Sequence, residues 1–286
     1  MFSPFIFWPW FGGLIFLIGG LLVCRLRVAQ APGIDKLVAL GPVLYAVPLA
    51  VFGAEHLAGP RILMNVVPRW MPAHLFWAYF VGIALVCAAI SIILTRYVTL
   101  SASLLGLMFF LFVLLIHAPR VVANPSDRIA WAVALRDLSF GGAGWALAGC
   151  QRQGPIRALV AMGRVTVAVP TIFFGVENLL HPNNAPGVPL PKMMPPWVPL
   201  GPVLSYLTGA ALIAAGIALL IGRKGRMVTA WTGLLVTLLV LFVYGPMLPI
   251  AAKPPEMNEA INYIADTLLF AGTLLVVAGA LPQGAK

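Results

Sequence analysis

Runs of mainly apolar residues, each about the 20 needed for a helix to cross hydrocarbon, recur from residue 4 to residue 281. They cover roughly 4–23, 38–57, 74–94, 98–117, 129–149, 160–180, 200–221, 227–249 and 260–281, joined by short polar or proline-rich links such as "RVAQAPGIDK" and "HPNNAPGVPLPKMMPPW". A bilayer core offers backbone amides no partner, so such a chain must fold as helices that satisfy their own hydrogen bonds. The expectation is an all-α, polytopic transmembrane protein of about nine spans. A soluble domain is excluded by charge: only 9% of the 286 residues are charged, against about 25% in soluble proteins.

The formal charge of +10 does not indicate nucleic acid, because most of the Lys and Arg residues fall between the apolar runs and not on one face. It reads as topology. Arg25 and Arg27 directly follow the first run, which has no Lys or Arg before it and no A-x-A site after it, so it reads as a span and not a signal peptide. Threading from an external N-terminus places Arg25, Arg27, Lys36, Arg96, Arg152, Arg157, Arg223, Lys224, Arg226 and Lys286 inside. A multi-pass cell-membrane protein is expected, N-terminus outside and C-terminus inside. Cys24, Cys87 and Cys150 form no CxxC and no metal spacing, and read as free thiols.

The chain also repeats itself. "VPLAVFGAEHL" (47–57) returns as "VPTIFFGVENL" (169–179), "GIALVCAAI" (82–90) as "GAALIAAGI" (209–217), and "RYVT" (96–99) as "RMVT" (226–229). Four spans recur, an even number, so the copies share one orientation. Three parts are expected: an N-terminal helix with a basic link (1–36), a first four-helix unit (37–155) and a second (156–286).

The repeat sorts the acids. Of eight, Asp35, Asp127, Glu256 and Glu259 lie in links, and Glu55, Glu177, Asp137 and Asp266 lie within spans. Glu55 matches Glu177. Asp137 is matched to Asp266 across a one-residue gap, which on a helix is a rotation of about 100°. Intramembrane carboxylates cost about 2.5–3.5 kcal/mol each on insertion scales, so they face a bundle interior, a partner or a site. With His56, His117 and Arg136 nearby in the topology, Glu55 and Asp137 predict an outward-facing polar pocket in the first unit. His74 reads as interfacial, and Pro119 is expected to end its helix. The second unit replaces His56 with Asn178, shows no counterpart of Arg136 or His117, and reads as a scaffold copy. The blander readings are that Glu55 is helix glue and that Asp137 neutralises Arg136. No metal site and no nucleotide motif is expected.

Through "FGAEHLAGP", "VPRWMP", "LLGLMFFLFVLLIHAPRVVANPSDR" and "ALRDLSFGGAGWALAG" the first unit resembles the DoxX-like family of four-helix bacterial membrane proteins. The resemblance covers roughly 40–150 and, through the repeat, 163–281. It implies a bacterial inner membrane, association with redox or thiol-handling proteins, and Glu55 and Asp137 as the positions to carry over. This chain lacks the paired cysteines of an autonomous thiol oxidoreductase. Three functions stay open: a redox-associated subunit, with a redox partner, whose pocket holds a quinone-like or other lipophilic ligand; a proton-coupled transporter; and a non-catalytic assembly protein. The cofactor is unknown, and the lipid bilayer is the one partner that composition demands.

Overall fold

A computed structural model describes residues 3–151, 156–188, 191–222 and 224–282. Arg152, Arg223 and Lys286, three of the cations assigned to the inner side, lie outside the described residues. The long helices are α1 (Pro4–Gln30), α2 (Asp35–Ala58), α3 (His74–Leu94), α4 (Val98–Ala123), α5 (Arg128–Gly149), α6 (Arg157–Leu180), α7 (Gly201–Ile221), α8 (Gly225–Ile250) and α9 (Pro254–Ala280). The protein is an all-α helical bundle. Among the described residues, eight of these helices are long and apolar enough to cross a membrane. The exception to the expected nine is α5, where Arg136, Asp137 and a run of glycines lower the hydropathy; from Ser139 to Gly149 it is buried without a break.

Helix α1 packs along α2 through glycines one heptad apart. A β-carbon on Gly13 would lie 2.7 Å from Val51, and one on Gly20 2.6 Å from Val43. Such small residues let two helix backbones approach closely. The following eight helices fall into two series, α2–α5 and α6–α9, and these are interleaved. The last helix of each packs along the first helix of the other, α5 on α6 and α9 on α2, and α5 and α9 also meet. Both cross-contacts rest on glycine: a β-carbon on Gly163 of α6 would lie 2.7 Å from the Ala146 amide of α5, and one on Gly41 of α2 2.9 Å from Leu275 Cβ of α9. Within the first series, the buried Tyr45 hydroxyl of α2 donates to the Phe140 carbonyl of α5 at 2.7 Å.

Pro119 does not end α4. The helix widens into a π turn over Val113–His117 and runs on to Ala123. A proline lacks the amide hydrogen and clashes with the carbonyl four residues back; a wider turn just before it accommodates both. Helix α8 repeats the device, with a π turn over Val240–Tyr244 before Pro246. The two turns place His117 and Tyr244 at equivalent points. Tyr244 is thus the counterpart of His117 that the sequence comparison did not find.

Candidate functional site

A cavity of about 540 Å³ lies between α2, α3, α4, α5 and α9, roofed by residues 63–71 of the link after α2. Phe52, Trp77, Phe80, Leu85, Met108, Phe109, Phe112 and Phe140 supply an apolar wall. His56, His117, Arg136, Asp137, Asn262 and Asp266 supply the polar groups. The expected pocket in the first unit is therefore completed by the second, through Asn262 and Asp266 of α9.

Four of the polar groups, His117, Asp137, Arg136 and Asp266, form a connected chain. His117 Nε2 is 2.9 Å from Asp137 Oδ2, and both residues are buried. Arg136 reaches Asp137 Oδ1 only at 3.4 Å, but its Nη1 donates to Asp266 Oδ2 at 2.6 Å. Asp137 thus does more than neutralise its neighbour: Arg136 is chiefly held by the acid of the other series, and Asp137 holds the histidine. His56 Nδ1 is 2.8 Å from the Phe52 carbonyl. A carbonyl only accepts, so Nδ1 carries the hydrogen and a neutral ring keeps its lone pair on Nε2.

Glu55 stands apart. It is buried, with an Oε1 that has no hydrogen-bond partner among the described residues. Its neighbours Asn262 and Asp266 line the cavity, but Glu55 does not. Glu177 is removed altogether: it accepts from Arg128 Nη1 at 2.7 Å, with His181 Nε2 3.7 Å away. That pair joins α5 to α6, the interface that corresponds in the repeat to that of α9 with α2.

The packing corrects the register assumed for the fourth helices. Gly142 abuts Gly163 of α6, and Gly272 abuts Leu44 and Tyr45 of α2, so Gly142 and Gly272 are equivalent. Counting six residues back from each brings Arg136 opposite Asp266 and Asp137 opposite Thr267. The Arg136–Asp266 pair therefore joins two equivalent positions where α5 meets α9, and Asp266 is not the copy of Asp137. The apparent match came from a shared residue type across a gap.

Asn262 was missed by sequence reasoning. It precedes Asp266 by four residues and so shares its helical face, which is the signal that points to it. Cys24, Cys87 and Cys150 are all free. Comparison with family models, curated proteins and solved structures finds no match to this chain.

In the second series the corresponding space holds protein. The loop after α6 turns inward, and residues 185–188 are buried. Tyr244 Oη donates to the Pro186 carbonyl at 2.7 Å. Asn178 Nδ2 donates to the Gly187 carbonyl at 2.9 Å, and its Oδ1 accepts from the Gly187 amide at 3.0 Å. Gly187 has φ +115°, a conformation that glycine adopts at little cost. Tyr244→Phe leaves the buried Pro186 carbonyl without its donor; the expected result is a loss of about 1–3 kcal/mol, measured as denaturant unfolding in detergent micelles.

Proposed function

We propose that this chain is a redox-associated subunit of a bacterial inner membrane, N-terminus outside, whose cavity binds a quinone-like or other lipophilic ligand. The observation that carries the reading is the cavity: about 540 Å³, within the range of about 300–1,000 Å³ typical of small-molecule sites, walled mostly by aromatic and aliphatic side chains with a few polar groups among them. The resemblance of the first unit to the DoxX-like family supports the redox association. The basic links support the topology.

The chemistry open to the chain's own residues is hydrogen bonding and proton exchange. Oxidation of a quinol to a quinone releases two electrons and two protons. The electrons would pass to the redox partner, and the two protons are taken one after the other by the Nε2 lone pair of His56, which hands each on to water. Asp137 orients the His117 ring and stabilises its cation. Glu55, set behind the cavity wall, holds the α2–α9 interface and is not the exchanging group.

Native mass spectrometry from mild detergent tests this. Wild type and Glu55→Gln are expected to carry a co-purifying lipophile that Asp137→Asn loses while remaining folded. Empty wild-type spectra, or a ligand equally retained by Asp137→Asn, would end the reading. A second reading, the assembly protein, draws on Arg136–Asp266 and Arg128–Glu177, ion pairs that join the two series. It gains if wild type is empty and a protein partner co-purifies.

A further inference from the structure

The loop inside the second series occupies the place that the cavity leaves open in the first. Gly187 sits beside Leu239, Thr267 and Tyr244: a β-carbon on it would lie 3.6 Å from each of the first two and 3.9 Å from the Tyr244 hydroxyl. Leu239 precedes Tyr244 by five residues as Phe112 precedes His117. By the glycine register Thr267 corresponds to Asp137, and by the sequence repeat Asn178 corresponds to His56. Phe112, His117, Asp137 and His56 all line the open cavity. The link after α2 covers that cavity with residues 63–71, whereas the link after α6 enters its own.

The group gripped there is a single peptide unit. The Pro186 carbonyl and the Gly187 amide belong to one amide: its oxygen accepts from Tyr244 and its N–H donates to Asn178. In the open cavity the equivalent positions are His117 and His56, and His56 offers the Nε2 lone pair where Asn178 offers Oδ1. We infer that the chain binds one ligand, not two, and that the ligand's polar head presents an acceptor oxygen to the Nδ1–H of protonated His117, whose Nε2–H is held by Asp137, and an O–H or N–H donor to His56, as the loop does to Tyr244 and Asn178. This rests on the reading of the cavity as a lipophile site and deepens it. A hydroquinone head and a secondary fatty amide share that chemistry. A quinone, with acceptors only, meets half of it.

Four probes of matched chain length decide it: an alkyl hydroquinone, its dimethyl ether, an N-ethyl fatty amide and its N-methyl analogue. Binding is measured by anaerobic equilibrium dialysis in detergent micelles. Wild type is expected to bind one equivalent and to prefer at least one donor-bearing probe over its methylated twin by about tenfold, one hydrogen bond's worth. The preferred pair tells a ring source from an acyl amide source. His56→Asn, which installs the residue of the second series, keeps the preference. His56→Leu abolishes it while the methylated probe still binds. Equal binding within both pairs overturns the inference and leaves the lipophile site standing. Two equivalents in wild type overturn the self-filled second site. Binding of none of the four sinks this inference together with the reading beneath it.

Discussion

Arg136→Met is expected to lower unfolding stability by about 3–5 kcal/mol, the penalty of breaking a buried ion pair from one side. The substitution keeps an unbranched side chain of similar reach but removes the cation. Asp266 then loses its 2.6 Å partner in surroundings where its side chain is only 10% exposed. Asp137 loses a weaker contact and keeps His117. The same argument predicts recovery: in Arg136→Met with Asp266→Leu no unpaired charge remains at the junction, and most of the loss should return, since well-packed apolar replacements of buried pairs are often neutral or better. Denaturant unfolding of the two single variants and the double variant in detergent measures the coupling. Additive losses would mean that the two side chains do not depend on each other, and the junction of α5 with α9 would need another explanation.

Gly272→Val is expected to destabilise by about 3 kcal/mol, at the upper end of overpacking effects. A β-carbon there would collide with the Tyr45 amide nitrogen and lie 2.6 Å from the Leu44 carbonyl carbon. These are backbone atoms, which cannot rotate away as a side chain does, so α2 and α9 must separate. Both helices line the cavity, so the variant should also loosen ligand binding. Gly19→Ala is the matched control: nothing lies within 4 Å of its β-carbon position, and gains of up to about 1 kcal/mol in helix propensity apply. Thermal unfolding of the two variants side by side tests the contrast. A Gly272→Val protein as stable as wild type would show that the close approach of α2 and α9 is not required.

Some of the site was legible because its signals are local. His117, Arg136 and Asp137 stand out as polar groups in apolar runs, and the cost of placing such groups in a membrane makes each conspicuous. The structure brings them together with His56 and Asp266 on one cavity. Glu55 was equally conspicuous yet lies behind the wall, because helical rotation decides which face of α2 meets the cavity and an apolar helix carries little amphipathic pattern to read. Tyr244 was invisible because it matches His117 in backbone position and not in residue type; only the repeated π turn before a proline reveals the pair.

The amino-acid sequence by itself determined the membrane class, the helical secondary structure and the internal repeat. Those follow from run length, from the scarcity of charge and from self-similarity, all of which operate within a few tens of residues. Tertiary structure decided that the repeats exchange their first and last helices, that Arg136 pairs with Asp266 across them, and that one cavity stays open while the other takes in its own loop. Most of these helices are apolar on nearly every face, so side-chain periodicity does little to select neighbours. The choice falls to where glycines let backbones touch and where buried charges find partners, and both are long-range facts.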